Sequence, residues 1–319
     1  MSSGSAGSSV GFRAVESGAT ETPVGEAPAP LDWAQKQKTS YCIPIWLRDL
    51  QIEASIKRVK GRIKPATETS DEPCAVVCFG PSLNDTWEAI RDFKHIISCS
   101  GAHKFLIEHG IIPNIHIEVD PRAHKVELMG PPHKDVKYLI ASACHAAVFD
   151  HLEGFDVDLW HVFDNQAEAM RTLPRSEWAL TGGSSVGLRA MTIARFLGFK
   201  NLHIFGMDGS AGKSGSHTTA HPNAPPSFRE TVYNGVTYQT TPSMLECARG
   251  TTHEMNQMPD VVATFYGDGL VQAMMKDYKR SDAKALMPIG FSKPDLISPE
   301  YLELNRRLHR GNVFYGVGG

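Results

Sequence analysis

Residues 76–84 read VVCFGPSLN, and this stretch decides how the chain is expected to fold. The apolar run ends at Gly80, Pro81 and Ser82, after which a helical pattern begins. Glycine lets the backbone approach a neighbour closely, proline fixes the turn, and Ser82 stands where it can cap the helix. The free N–H groups of such a helix favour a phosphate. The alternative is an ordinary strand-to-helix turn.

Strand-like and helix-like segments alternate after this turn. Short runs that are apolar on both faces are typical of parallel strands covered by helices. The pattern predicts an α/β fold with a doubly wound, mostly parallel, Rossmann-like sheet and helices on both faces. The expected strands are residues 75–79, 95–98, 115–119, 137–143, 158–163 and 201–205. The expected helices are residues 84–93, 102–109, 123–129, 145–151 and 184–197.

The flanking segments have a different character. Residues 1–35 are rich in Ser, Gly, Ala and Pro, which predicts a disordered arm. Residues 40–70 contain an amphipathic, basic helix pattern over residues 46–63 and a linker. Residues 74–278 form the expected Rossmann-like domain, in which Asn234-Gly235 predicts a hairpin turn. Residues 279–319 are expected to form a helical tail.

Composition narrows the class of protein. Of the 319 residues, 41% are hydrophobic and 21% are charged, which is typical of a soluble globular protein. The net charge of -3 gives no general attraction to nucleic acid. The six cysteines form no CxxC pair and indicate buried thiols in a reducing compartment. No apolar run reaches the ~20 residues of a membrane span, and the start lacks a secretory signal, so the expected location is the cytoplasm.

Polar and glycine-rich stretches follow the expected strands, at the rim where doubly wound sheets bind ligands. Asp120 ends one strand and is suited to hold Mg²⁺ or a ribose hydroxyl, or to cap the next helix. Gly182, Gly183, Ser184 and Ser185 open a helix and form a second candidate phosphate site. Neither glycine-rich loop is a Walker A or a complete GxGxxG sequence, which disfavours P-loop and ordinary dinucleotide sites.

A further strand ends at Asp208, and a long polar segment with two histidines follows it. His217 and His221 lie four residues apart, and imidazole is suited to proton transfer near neutral pH. The HxxxH spacing lacks the glutamate of HExxH, which disfavours a zinc site. His217, His221 and Asp208 are therefore the candidate catalytic residues. Surface histidines without a catalytic role are the alternative.

The order of these motifs resembles a known family. GPSL at residues 80–83, GIIPNIHIEVDP at 110–121, TGGSSVGLRAMTIARFLGFKNLHIFGMD at 181–208 and the histidine segment are similar to the MptE-like domain. That family takes its name from 6-hydroxymethylpterin diphosphokinase and includes motility accessory factor glycosyltransferases. The resemblance covers roughly residues 74–275. The motif order is also similar to that of sialyltransferases, in which a GPSL-type motif binds the nucleotide and a histidine is catalytic.

The resemblance assigns expected roles to residues of this chain. It implies that Gly80, Pro81 and Ser82 contact a nucleotide, and that residues 182–185 hold a phosphate or a sugar carboxylate. It also implies that one of the two histidines transfers a proton. Phe79 stands where sialyltransferases often carry Asn, so the donor is not expected to be restricted to CMP-sialic acid.

Three functions agree with these residues. The first is a glycosyltransferase with a nucleotide-sugar donor, in which a histidine deprotonates the acceptor hydroxyl. The second is a Mg²⁺-dependent diphosphokinase that transfers pyrophosphate from ATP to a hydroxymethyl group, with Asp120 and Asp208 as metal ligands. The third is a non-catalytic nucleotide-binding or structural module. The histidines favour the first. The sequence identifies neither the acceptor nor the oligomeric state.

Overall fold

The computed structural model describes residues 42–221, 224–280 and 288–310. The arm expected at residues 1–35 lies outside these ranges. The strands are Gly61–Arg62 (β1), Ser70–Val77 (β2), His95–Cys99 (β3), Ile115–Glu118 (β4), Lys137–Ala141 (β5), Val157–Val162 (β6), Trp178–Leu180 (β7), Phe199–Phe205 (β8), Arg229–Tyr233 (β9), Val236–Thr240 (β10), Val262–Phe265 (β11) and Gly290–Ser292 (β12). The helices are Ile45–Arg58 (α1), Leu83–Thr86 (α2), Ala102–Glu108 (α3), Lys125–Met129 (α4), Ala146–His151 (α5), Gln166–Thr172 (α6), Val186–Phe196 (α7), Pro242–Gln257 (α8), Leu270–Asp277 (α9), Lys293–Leu296 (α10) and Pro299–Arg310 (α11), with a 3₁₀ turn at Trp87–Asp92.

The central sheet has the strand order β11-β8-β2-β3-β4-β5-β6-β7-β12, and β1 pairs with β6 beside this path. The strand pairs are parallel except for β7 and β12, which are antiparallel. From β2 the chain builds the sheet in one direction as far as β7, and then returns to place β8 on the other side of β2. The point where the order reverses is therefore between β2 and β8. Doubly wound sheets bind ligands beyond the carboxyl ends of the strands at such a point.

Both faces of the sheet are buried, as the apolar strands predict. Alternate residues of β2 belong to different hydrophobic clusters, because successive side chains of a strand point to opposite faces. Cys74 and Val76 pack with α7, whereas Ala75 and Val77 pack with α2, α3 and the 3₁₀ turn. The expected doubly wound α/β fold with helices on both faces is thus confirmed.

The expected elements agree with the structure to within a few residues, except for two helices. The helix expected over residues 84–93 is an α-helix only as far as Thr86 and a 3₁₀ turn from Trp87 to Asp92. The helix predicted over residues 46–63 ends at Arg58, because Val59 takes an extended backbone conformation and β1 follows. The predicted hairpin is confirmed in β9 and β10, where Asn234 and Gly235 both have positive φ values, 49° and 77°. Four strands of two to four residues are absent from the sequence prediction: β1, β7, β11 and β12.

Candidate active site

The turn at Gly80 lies where the two central strands β2 and β8 end side by side. The Gly80 N–H donates a 2.7 Å hydrogen bond to the carbonyl oxygen of Gly206. A Cβ atom on Gly80 would lie 2.5 Å from that oxygen and 2.4 Å from Oδ2 of Asp208. Gly206 has a φ of 63°, which favours glycine. The two glycines are therefore needed because the two chain segments touch at the reversal point of the sheet.

The carboxylate of Asp208 stabilises the Gly80 turn. Its Oδ2 accepts a 3.0 Å hydrogen bond from the Ser82 N–H, and its Oδ1 accepts one of 3.1 Å from Gln272. Burial raises the pKa of Asp208 against these hydrogen bonds. Ser82 makes no side-chain cap to α2. Pro81 is buried, and a Cβ on Gly212 would lie 2.9 Å from its Cβ.

The polar segment that carries the histidines, residues 209–221, docks on the same turn; we call it the histidine loop. The Thr218 N–H donates to the carbonyl of Phe79 at 3.1 Å, and the Thr218 hydroxyl donates to the carbonyl of Gly80 at 2.7 Å. The side-chain amide of Asn84, in α2, donates to the Thr218 carbonyl at 2.9 Å. Three hydrogen bonds on a single threonine thus fix the loop over the end of β2.

The two histidines of this loop form a stacked pair. The ring centroids of His217 and His221 are 3.8 Å apart and the ring planes differ by 7°. Ser216 Oγ lies 2.8 Å from Nδ1 of His217. Burial, with the charge of Lys125, lowers the pKa of His217 to about 4. Burial and the neighbouring His217, with Lys125, lower the pKa of His221 to about 3. Both imidazoles are therefore neutral near pH ~7 and can accept a proton.

Asp120, at the end of β4, belongs to a charged group. Its carboxylate accepts two hydrogen bonds from the Arg122 guanidinium, at 2.9 and 2.6 Å, and lies 3.5 Å from the Lys125 ammonium. Lys125 also donates to Ser100 Oγ at 2.9 Å. Burial alone would raise the pKa of Asp120, but the Arg122 hydrogen bonds and the Lys125 charge hold it below its usual value.

The second glycine-rich loop is already engaged by a carboxylate of the protein. The Gly183 N–H donates a 2.9 Å hydrogen bond to Oε1 of Glu254, a buried residue of α8. Gly182 has a φ of 127°, Ser184 is exposed, and the Ser185 side chain caps α7. Burial raises the pKa of Glu254. The loop thus uses its second glycine N–H internally and presents Ser184 to the solvent.

Helix α7 brings this second loop to the side of the sheet where the first turn lies. A Cβ on Gly187, the second residue of α7, would lie 2.7 Å from Sγ of Cys78. Cys78 directly precedes Phe79 and Gly80. The helix start and the Gly80 turn therefore lie near the same central strand, although β7 and β2 are separated by four strands in the sheet.

The two aspartates considered as metal ligands lie at the ends of strands that are not neighbours. Asp120 follows β4 and Asp208 follows β8, and β2 and β3 lie between them. Three strand spacings of about 4.8 Å separate the strand ends by roughly 14 Å. Within the ranges that the structure describes, no group of three or more His, Cys, Asp or Glu side chains is placed to hold a metal ion. This arrangement does not favour one Mg²⁺ held by both aspartates.

The structure brings most of the predicted residues to one rim and adds others. The Gly80 turn, Asp208 and the histidine pair meet at the end of β2, and Asp120 joins them through Lys125. Sequence reasoning missed Lys125, Thr218 and Glu254. Thr218 carries a weak signal, since it lies between the two histidines. The other two stand within helical patterns, where nothing marks a buried charge.

In the described part of the chain, no helix has the length and apolar character to cross a bilayer.

Comparison of folds places the chain near a glycosyltransferase. It superimposes on the MAf glycosyltransferase from Magnetospirillum magneticum AMB-1 with a TM-score of 0.56 and 20% sequence identity. The match covers 85% of this chain and 43% of that protein, so this chain spans less than half of its length. A mammalian sialyltransferase gives a TM-score of 0.40 with 12% identity, covering 73% of this chain and 82% of the other. No protein of curated function matches the chain.

Comparison of sequences identifies the family. The profile of the family described as "6-hydroxymethylpterin diphosphokinase MptE-like" matches residues 48–213. This range includes the Gly80 turn, Asp120, the second glycine-rich loop and Asp208, and it ends just before the histidine pair. The match confirms the family that the motif order predicts. The chain belongs to the MptE-like family.

Proposed function

We propose that the protein is a glycosyltransferase that uses a nucleotide-sugar donor and a histidine for proton transfer. The observation that carries the proposal is the docking of the histidine loop on the Gly80 turn through Thr218. This docking puts two neutral imidazoles beside the reversal point of the sheet, where ligands of doubly wound folds bind. The glycosyltransferase-like fold supports the reaction class.

The proposed reaction needs one base and one stabilised leaving group. The acceptor oxygen attacks the anomeric carbon of the donor, and the bond from that carbon to the phosphate oxygen breaks. The phosphate leaves with the electron pair, and one imidazole of the pair, His217 or His221, takes the proton of the acceptor hydroxyl. The N–H groups of the Gly80 turn already donate within the protein, so the cations of the rim, Arg122 and Lys125, are the groups that we propose to stabilise the negative charge of the leaving phosphate.

Two measurements test this function. The first is a thermal-shift screen with CMP, CTP, UDP, GDP and ATP, with and without Mg²⁺, which identifies the nucleotide. The second is turnover of the matching nucleotide-sugar by His217→Ala and His221→Ala. Loss of a general base lowers turnover by ~10²–10⁴-fold while nucleotide affinity stays nearly unchanged. Full turnover in both variants, or no nucleotide bound at all, would overturn the proposal.

A diphosphokinase is the second candidate, because the family description names that activity. In that reaction Mg²⁺ would bridge the phosphates of ATP, and Asp120 and Asp208 would be its ligands. The carboxylate of Asp120 is engaged by Arg122, and Asp208 is buried beneath the Gly80 turn. Neither is placed as an open metal ligand. Transfer activity that persists in EDTA would exclude the diphosphokinase, whereas strict dependence on Mg²⁺ and ATP would favour it.

A further inference from the structure

Lys125 is a buried cation at the rim of the sheet. It opens α4, is only 6% exposed, and its ammonium contacts Ser100 Oγ at 2.9 Å and Asp120 Oδ2 at 3.5 Å. Burial of an ammonium group is costly unless its charge and its three N–H groups are compensated. The contacts of Lys125 among the described residues account for two of these N–H groups.

Part of the negative charge around Lys125 is engaged by other groups, while Oε2 of Glu118 accepts no hydrogen bond from the described residues. Asp120 accepts three hydrogen bonds from Arg122, two from the guanidinium and one of 3.1 Å from the backbone N–H. Oε1 of the buried Glu118 accepts hydrogen bonds from the backbone N–H groups of Val119 and Asp120, at 2.9 and 3.1 Å. Lys125 therefore shares one carboxylate with a better-placed cation, and an incoming anion would complete its coordination.

Lys125 also lies close to the candidate active site. Its partner Ser100 follows β3 and has a φ of 50°, a conformation that non-glycine residues adopt rarely and often at functional sites. The next residue, Gly101, lies beneath Phe79, because a Cβ there would be 2.5 Å from the Phe79 ring. The Phe79 ring centroid is 6.1 Å from that of His217. Ser100 and Gly101 thus link Lys125 to Phe79, which precedes Gly80 and lies near His217.

We infer that Lys125 binds the anionic phosphate of the donor and thereby couples donor binding to protonation of the histidine pair. The inference rests on the proposed function for the identity of the donor. In the free protein, the ammonium and burial keep both imidazoles neutral. A phosphate bound to Lys125 offsets its charge and favours a proton on the pair. Only one proton is expected, since two charged rings stacked at 3.8 Å would repel each other.

Other charges face the pair and act in the same sense as Lys125. Arg122 and His124 lie just before Lys125 in the chain. Both disfavour a proton on His221, and so does the ring of His217. The carboxylates in this region are Glu118 and Asp120, whose hydrogen bonds are described above. Binding of an anion near these cations is therefore the change that would make a proton on the histidine pair favourable.

The test is calorimetric titration with UDP, GDP and CMP, and with inorganic pyrophosphate as the probe that has no base. Measurements at about pH 6 in two buffers of different ionisation enthalpy give the number of protons taken up. The intact protein should take up as much as one proton for each anion bound. Lys125→Met should bind pyrophosphate about 10- to 100-fold more weakly and lose the uptake, and Lys125→Arg should recover part of both. Lys104→Met, at an exposed lysine of α3, should behave as the intact protein.

The outcomes separate this inference from the proposed function. One outcome is that the protein binds pyrophosphate with proton uptake that depends on Lys125, but binds no nucleotide. This outcome would support the inference and overturn the proposal of a nucleotide-sugar donor. A nucleotide bound equally by Lys125→Met and the intact protein, with the same uptake, overturns the inference and keeps the donor. If Lys125→Met does not fold, histidine NMR resonances of the intact protein decide. Resonances of the pair that do not move when pyrophosphate is added overturn the inference.

Discussion

The Thr218 hydroxyl donates a 2.7 Å hydrogen bond to the carbonyl oxygen of Gly80, a residue 138 positions earlier in the chain. This bond joins the histidine loop to the strand end at the reversal point of the sheet. The position of the histidine pair depends in part on this hydroxyl, which makes one of the three hydrogen bonds of Thr218; the other two use its backbone.

Thr218→Val tests this dependence, since valine keeps the shape of threonine and removes the hydroxyl. We expect the free energy of unfolding to fall by about 1 kcal/mol. We also expect proteases to cut the histidine loop faster. Urea denaturation and limited proteolysis measure the two effects. Thr219→Val, at the exposed neighbour, is the matched control, and equal behaviour of the two variants would contradict the docking role.

Gly80→Ala tests the contact between β2 and β8. The added methyl group would lie 2.4 Å from Oδ2 of Asp208 and 2.5 Å from the Gly206 carbonyl, neither of which can move freely. We expect a loss of about 3 kcal/mol, the upper end of the usual cost of overpacking. Gly154→Ala is the control, because its Cβ would meet open space and only its φ of 87° is unfavourable. Similar losses of unfolding free energy in both variants, measured by urea denaturation, would show that β2 and β8 can move apart to accommodate the added methyl group.

Glu254→Ala and Glu254→Gln test the carboxylate that engages the second glycine-rich loop. Alanine leaves the partly buried Gly183 N–H without this acceptor, which should cost about 1–2 kcal/mol. Glutamine keeps an oxygen for that N–H and carries no charge to bury, so it should retain most of the stability. Thermal and urea unfolding of the two variants provide the comparison. A glutamine variant as unstable as the alanine variant would mean that the charge itself is required.

Stability should decrease in mild acid because of buried histidines. Burial lowers the pKa of both His103 and His116, and the pair at the rim has values of about 4 and 3. The unfolded chain, with histidine near ~6.5, therefore binds more protons below that pH, and each group removes up to ~1.4 kcal/mol per pH unit. This stability is complete above pH ~6.5 and is lost as the pH falls towards the folded values.

His116→Gln provides the check on this pH dependence. His116 is fully buried between Ser98 and His103, so glutamine should lower the stability at high pH and also make its decline in acid less steep. Urea midpoints measured between about pH 8 and pH 5 give the slope. An unchanged slope in the His116 variant would assign the acid sensitivity to other groups.

The sequence predicts the sheet better than it predicts the site. Cys74–Val77 and the other long strands are apolar on both faces, so their period and their bounds identify them. Trp178–Leu180 and Gly290–Ser292 have three residues each, too few for a period, and only pairing identifies them as strands: the first pairs with β6 and with Gly290–Ser292. Lys125 and Glu254 show why the site is harder. A charged residue in a helical pattern predicts a solvated face, and only tertiary packing turns these two inwards.

The antiparallel strand β12 has a consequence for the synthesis of the protein. The Thr181 hydroxyl at the end of β7 donates to the carbonyl of Ile289, a residue 108 positions later, and β12 follows directly. At about 5–20 residues per second, a ribosome needs ~5–20 s to make that partner after β7 has been made. Throughout this interval β7 has an unpaired edge, to which another extended chain can add. Until β12 has been translated, the nascent protein is therefore open to wrong partners along this edge of β7.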